Sequence, residues 1–118
     1  MIDTVRKRFE DADATLRLTE EHLSGRLVKA VELTVEASNN GGGMFLFGNG
    51  GSAADAQHIA GEMVGRFLKE RRALKAEALS TNSSILTCLA NDYSYDMIFA
   101  RQLEANARAG DVAVGLTT

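Results

Sequence analysis

Met44-Phe45-Leu46-Phe47-Gly48-Asn49-Gly50-Gly51-Ser52 is where the chain changes character. Met44 to Phe47 is an unbroken apolar run, short enough to be a strand buried on both faces. The glycine-rich turn Gly48-Asn49-Gly50-Gly51-Ser52 interrupts it, and from Ala53 to Phe67 the pattern is helical. Strand, glycine loop and helix open a βα unit.

Downstream of that unit, Lys69-Glu70-Arg71-Arg72-Ala73-Leu74 forms a charged connection, and Lys75 to Leu79 is a weaker strand because Ala and Glu favour strands poorly. Asn82 or Ser83 caps a short helix through Ala90, and Asn91-Asp92 breaks it. Tyr95 to Ala107 is amphipathic, with Ile98, Phe99, Leu103 and Ala107 near one side, and Gly110 takes the place of a helix C-terminal glycine. Asp111 to Leu116 is a third strand that runs into Thr117-Thr118.

Upstream, residues 2–40 read as helix. Ile2, Val5, Phe9, Ala12 and Leu16 form one stripe and Leu23, Leu27, Val31 and Val35 a second, with Ser24-Gly25 expected to break or kink the helix between them. Ser38-Asn39-Asn40-Gly41-Gly42-Gly43 ends the region. The whole is an α/β pattern: N-terminal helices (1–40) followed by a βαβαβ parallel sheet flanked by helices (41–118). The N-terminal stripes carry more apolar surface than a three-stranded sheet covers, which points to contacts between copies in a homo-oligomer. A chain that stops directly after a strand, with no covering helix, reads as the N-terminal portion of a domain.

Composition narrows the function. The 118 residues are 45% hydrophobic, 25% charged and 6% aromatic, as expected of one globular domain. Thirteen Lys and Arg against sixteen Asp and Glu give a net charge of −3, so a nucleic-acid partner has no electrostatic support. No apolar run approaches the roughly twenty residues of a membrane span, and MIDTVRKRFEDAD is too acidic for a signal peptide. Cys88 has no partner for an internal disulfide, which fits a reducing cytoplasm, and its apolar neighbours Ile85, Leu86 and Leu89 place it in packed core. His22 lies on a solvated helix face.

Chemistry gathers at the glycine loop. In an open parallel sheet, ligands bind beyond the carboxyl ends of the strands, where free backbone N–H groups meet the positive end of a helix dipole. Asn49, Gly50, Gly51 and Ser52 present such groups, and Ser52 could also cap the helix. The pattern is neither the dinucleotide fingerprint nor a P-loop, and a tight turn with no ligand is an equal reading. Four residues apart in the following helix, His58 and Glu62 share a face that is expected to point into the cleft the glycine loop lines, where imidazole and carboxylate suit a zinc ion or a base beside a polarising group. A surface ion pair is the bland alternative. Asn91-Asp92 can contact sugar hydroxyls or simply form a turn, and Thr117-Thr118 leave the third strand where a phosphate loop could begin.

The block Gly48-Asn49-Gly50-Gly51-Ser52-Ala53-Ala54-Asp55-Ala56-Gln57-His58-Ile59-Ala60-Gly61-Glu62, followed by Gly65-Arg66, closely resembles the phosphoheptose isomerase family of the SIS (sugar isomerase) proteins. Leu89-Ala90-Asn91-Asp92-Tyr93, Phe99-Ala100-Arg101-Gln102 and Gly110-Asp111-Val112 extend the likeness. The resemblance implies a three-layer SIS-like domain in a cytoplasmic homotetramer. The implied activity interconverts sedoheptulose 7-phosphate and D-glycero-D-manno-heptose 7-phosphate, for bacterial surface heptose and lipopolysaccharide. It further implies a substrate loop at Asn49, Gly50, Gly51 and Ser52, zinc ligands at His58 and Glu62, and Glu62 as catalytic base in contact with substrate. Asn91 and Asp92 become sugar contacts, and Thr117 and Thr118 the start of a phosphate loop. The chain departs from the family in lacking the rest of that loop, the later Gln and His that complete the metal set, and the prolines usual near Arg72-Ala73-Leu74-Lys75. A 118-residue product alone is therefore expected to lack turnover. Non-catalytic SIS proteins that bind the replication initiator lack a carboxylate at position 62, and a sugar-phosphate-sensing module would not need one.

Overall fold

The computed structural model describes residues 1–118. Its elements run α1 (Ile2–Asn39), β1 (Met44–Gly48), α2 (Gly51–Val64), β2 (Ala76–Ala78), α3 (Ser83–Asp92), a 3₁₀ turn (Tyr95–Met97), α4 (Ala100–Asn106) and β3 (Val112–Leu116). The three strands form a parallel sheet in the order β2-β1-β3. This is the expected α/β alternation, with β1 central. By internal contacts the chain forms two compact units, Met1–Leu33 and Thr34–Thr118.

The first unit is helix throughout. Ion pairs one turn apart (Lys7–Asp11 at 3.4 Å, Arg17–Asp13 at 2.9 Å) support it. The expected break at Ser24-Gly25 does not occur. Ser24 Oγ donates to the Glu20 carbonyl one turn back, and a single helical glycine costs only about 1 kcal/mol against its neighbours' propensity. Phe9, Leu16, Leu27 and Val31 of this unit lie open to solvent. No helix is long and apolar enough to cross a membrane.

In the second unit the core forms where β1 meets α2. Leu46 and Ala56 are fully buried, with Ala60 and Ala78 nearly so, and Met44, Ala76, Val114 and Leu116 pack around them. Alanine at 56 and 60 lets α2 lie close to the sheet. On the opposite side, Phe99 stacks on Phe47 with ring centroids 5.1 Å apart, and Ile98 is buried. Gln102 is buried too, its Nε2 donating to the carbonyls of Leu79 (3.0 Å) and Ile98 (2.7 Å).

Several boundaries differ from the sequence reading for local reasons. Helix α2 stops at Val64 rather than Phe67, because Gly65 closes it through its N–H to the Gly61 carbonyl. Asn82 does cap α3, accepting from Ile85 N–H at 3.0 Å, but the helix runs through Asn91-Asp92 and ends only at Tyr93. The segment 95–107 is not one helix: it winds as a 3₁₀ turn before Ile98 and Phe99 enter the core, and α-helix resumes at Ala100. Gly110 belongs to the turn before β3, not to a helix end, since α4 has already closed at Ala107. Cys88 is exposed rather than packed, because the apolar side of α3 is carried by Leu86 and Leu89.

Asp111 locks the start of β3 to that of β1. Its carboxylate accepts from Gly43 N–H at 2.7 Å and Arg108 N–H at 2.8 Å, with Lys75 Nζ at 3.5 Å, and its side chain is 4% exposed. The Arg108 amide, then the Gly43 amide, hold this carboxyl below its usual range, and the Lys75 charge adds to them. A depressed folded-state pKa means that the stability it lends is complete at neutral pH and is lost as pH falls through that depressed value. Asp111→Asn is therefore expected to lower the melting temperature by about 5 °C or more at pH 7. The gap from wild type should close as both are titrated below about pH 4. Thermal melts across pH measure it.

Candidate active site

The site is built at the carboxyl end of the central strand. β1 ends at Gly48, and an added Cβ there would lie 2.7 Å from Ser52 Cβ and 2.8 Å from the Leu116 carbonyl oxygen. Only glycine lets β1, β3 and the first turn of α2 meet so closely. Gly50 is the N-cap of α2 at φ 56°, where an L side chain is strained. The N–H groups of Ser52, Ala53 and Ala54 turn back onto the Asn49 and Gly50 carbonyls. The expected Ser52 side-chain cap is absent, since Gly50 occupies the cap position.

Beside this loop lies a cleft of about 220 Å³ lined by Gly48, Asn49, Gly50, Ala53, Ser80, Leu86, Tyr95, Ile98 and Phe99. Small-molecule sites typically enclose roughly 300–1,000 Å³, so this is one wall of a site rather than a finished pocket. Two of its polar groups were missed in the sequence. Tyr95 OH donates to Asn49 Oδ1 at 2.6 Å, and Ser80 Oγ is buried without a protein partner. Ser80 follows β2 at the same sheet edge as the loop, which was the available signal. The Tyr95–Asn49 contact joins residues 46 apart and had none.

His58 and Glu62 come together as their spacing requires, with Nε2 and Oε1 3.4 Å apart. They do not face the cleft. Their side chains are 73% and 37% exposed, on the outer face of α2, opposite Ala56 and Ala60. The expectation that both point into the loop cleft is thus not met by this chain. No third His, Cys, Asp or Glu joins them. An imidazole and a carboxylate are donors that suit zinc, and they are two of the four it takes.

The remaining candidates divide. The pairing Gly48↔Leu116 sets Thr117 and Thr118 beyond β3 at the same sheet edge as Asn49 and Gly50, both exposed. Asn91 and Asp92 lie on the last turn of α3 outside the cleft lining: Asn91 Nδ2 donates to Asp92 Oδ1 at 2.8 Å, and Cys88 Sγ is 3.4 Å from Asp92 Oδ2. The Asn91 amide, then the Cys88 thiol, lower the Asp92 pKa, and the Asp92 carboxylate in turn raises that of Cys88.

Arg71, read as part of a charged connection, closes the far end of α2. Its guanidinium donates to the carbonyls of Glu62 (2.6 Å), Met63 (2.9 Å), Gly65 (3.2 Å) and Arg72 (2.9 Å). The helix has no basic residue in its last turn, so Arg71 supplies the charge that its dipole favours there. Arg71→Ala is expected to cost about 1–3 kcal/mol in urea unfolding and to fray the turn that carries Glu62. Lysine, a single-point donor, should recover less than half of the loss.

A parallel sheet whose central strand delivers a glycine loop to a helix N-terminus at the carboxyl edge defines an open-sheet α/β domain. The chain belongs to the SIS domain family, whose model matches residues 9–118. It is 47% identical over its full length to a phosphoheptose isomerase of Geotalea daltonii and 51% identical to one of Aquifex aeolicus. It spans 62% of the length of each of these curated relatives. Its fold superposes with a TM-score of 0.89 on a phosphoheptose isomerase structure from Neisseria gonorrhoeae (41% identity, 98% of this chain and 60% of that one). For a Francisella tularensis phosphoheptose isomerase the TM-score is 0.93 (30% identity, 99% and 61%).

Proposed function

We propose that the chain is part of a ketose–aldose isomerase that interconverts sedoheptulose 7-phosphate and D-glycero-D-manno-heptose 7-phosphate. The observation that carries this reading is the His58–Glu62 pair, its heads 3.4 Å apart, on the helix that the glycine loop initiates. The names of the relatives and structures support it. A scaffold that binds the replication initiator, or a sugar-phosphate sensor, is not favoured: neither needs Glu62.

Isomerisation moves a proton between C1 and C2 through an enediolate, which takes a base and an electrophile. Glu62 is the base in this reading. His58 and Glu62 would hold zinc together with donors from outside these residues, and a bound zinc ion polarises a carbonyl as a Lewis acid. The outer face of α2 must then be covered in the working enzyme, because His58 stands open to solvent and a site that moves a proton from carbon excludes water. The loop at Asn49, Gly50, Gly51 and Ser52 orients the substrate, Asn91 and Asp92 contact sugar hydroxyls, and Thr117 and Thr118 begin the phosphate site. The reading places the enzyme in the cytoplasm as a homotetramer, with the apolar stripe of Met1–Leu33 in its contacts.

The test is aldose formation from sedoheptulose 7-phosphate by the full-length protein, with zinc and after chelation, beside light scattering for assembly. Turnover that chelation abolishes is expected. A folded, zinc-supplied protein with no turnover overturns the reading.

A further inference from the structure

Asn49 carries one side-chain acceptor and two donors, and which of them meets a ligand depends on how its amide is turned. Tyr95 OH donates to Asn49 Oδ1 at 2.6 Å, a short and strong hydrogen bond. The carbonyl is thereby engaged, while no protein group accepts from Asn49 Nδ2. Tyr95 is itself held in place. It opens the 3₁₀ turn, whose following residues Ile98 and Phe99 are anchored in the core, Phe99 against the Phe47 ring two residues before Asn49. Both Asn49 and Tyr95 line the cleft at the carboxyl end of β1.

We infer that Tyr95 is a positioning residue which fixes the Asn49 carboxamide as a hydrogen-bond donor toward an acceptor oxygen of a bound sugar phosphate. The inference rests on the sugar-phosphate reading above and adds to it a residue outside the loop. With its oxygen held by Tyr95, the amide cannot flip end for end without breaking that bond, so its two N–H donors keep one orientation, which suits an oxygen-rich anion. Tyr95 acts only through Asn49, which makes the two substitutions non-additive.

The experiment is a double-mutant cycle in the full-length protein, reading sedoheptulose 7-phosphate Kd by calorimetry and turnover separately. Tyr95 is 59% exposed and Phe keeps its ring, so Tyr95→Phe is expected to melt like wild type. It should weaken Kd about three- to tenfold, the value of one hydrogen bond. In the Asn49→Ala background the same change should leave Kd unaltered. Asn49→Asp, which still accepts from Tyr95 but cannot donate, should weaken binding at least as much as Asn49→Ala. An equal effect of Tyr95→Phe in both backgrounds, no effect in either, or Asn49→Asp binding as tightly as wild type each overturns the inference. Coupled binding without turnover would leave it standing and remove the isomerase reading. Turnover without coupling would do the reverse, and absence of any binding removes both.

Discussion

Glu62→Gln in the full-length protein is expected to lower turnover of sedoheptulose 7-phosphate by at least about a hundredfold, the usual contribution of a positioned general base. Glutamine keeps the shape of the side chain and removes its negative charge and basicity together. The fold should not notice. Glu62 makes one side-chain contact, with His58, at a partly exposed site, and such pairs one turn apart contribute a few tenths of a kcal/mol. An unchanged melting temperature with collapsed turnover is therefore the signature of a chemical role. His58→Ala should show the same separation and in addition weaken zinc binding, measured by competition with a chelating dye. Unaltered turnover in the Glu62→Gln protein sinks the assignment of the base, whatever the metal does.

The sequence carried the central unit because the change at Met44 is abrupt: an apolar run, then glycines, then a helical pattern each point to one local structure. A cap at Asn82 or Ser83 was legible for the same reason, a polar residue immediately before an apolar helix, and the structure selects Asn82. The orientation of the His58–Glu62 pair was also written there and went unread. Ala56 and Ala60 are the small residues that let α2 approach the sheet, and a further two positions, at about 100° each, carry His58 and Glu62 round to the far side. Spacing says that two side chains share a face, whereas the packed residues say which face it is. Cys88 misled in a related way, since Ile85, Leu86 and Leu89 look like a core helix, whereas no residue of α3 is fully buried. Tyr95 on Asn49, Arg71 on the end of α2 and Asp111 on Gly43 are contacts of polar side chains with groups distant in the sequence or with backbone, and no local pattern announces them.

Gly48→Ala is expected to be among the most damaging single substitutions in the second unit, and Gly51→Ala, three residues on, among the mildest. The two glycines look alike in the sequence. At Gly48 the new methyl would meet Ser52 Cβ at 2.7 Å, the Leu116 oxygen at 2.8 Å and the Ser52 carbonyl carbon at 3.0 Å. Two of those three atoms are backbone, so no rotamer change relieves the clash and either β3 or the first turn of α2 must move. Overpacking of this kind costs about 1–3 kcal/mol, and a rigid contact belongs at the upper end. For a unit of this size that is a fall of roughly 10–20 °C in melting temperature. At Gly51 an added Cβ meets nothing within 4 Å, and alanine favours the first turn of a helix over glycine by about 0.5–1 kcal/mol. Thermal stability should therefore hold or rise in Gly51→Ala. If the loop glycines served backbone flexibility alone, the two variants would lose stability together. A wide separation between them shows instead that Gly48 is required by the approach of three elements, and that this approach sets the position of Asn49, the next residue along the chain. On that account the Gly48→Ala protein that remains folded should also bind sedoheptulose 7-phosphate more weakly, because shifting the strand end displaces Asn49 from Tyr95.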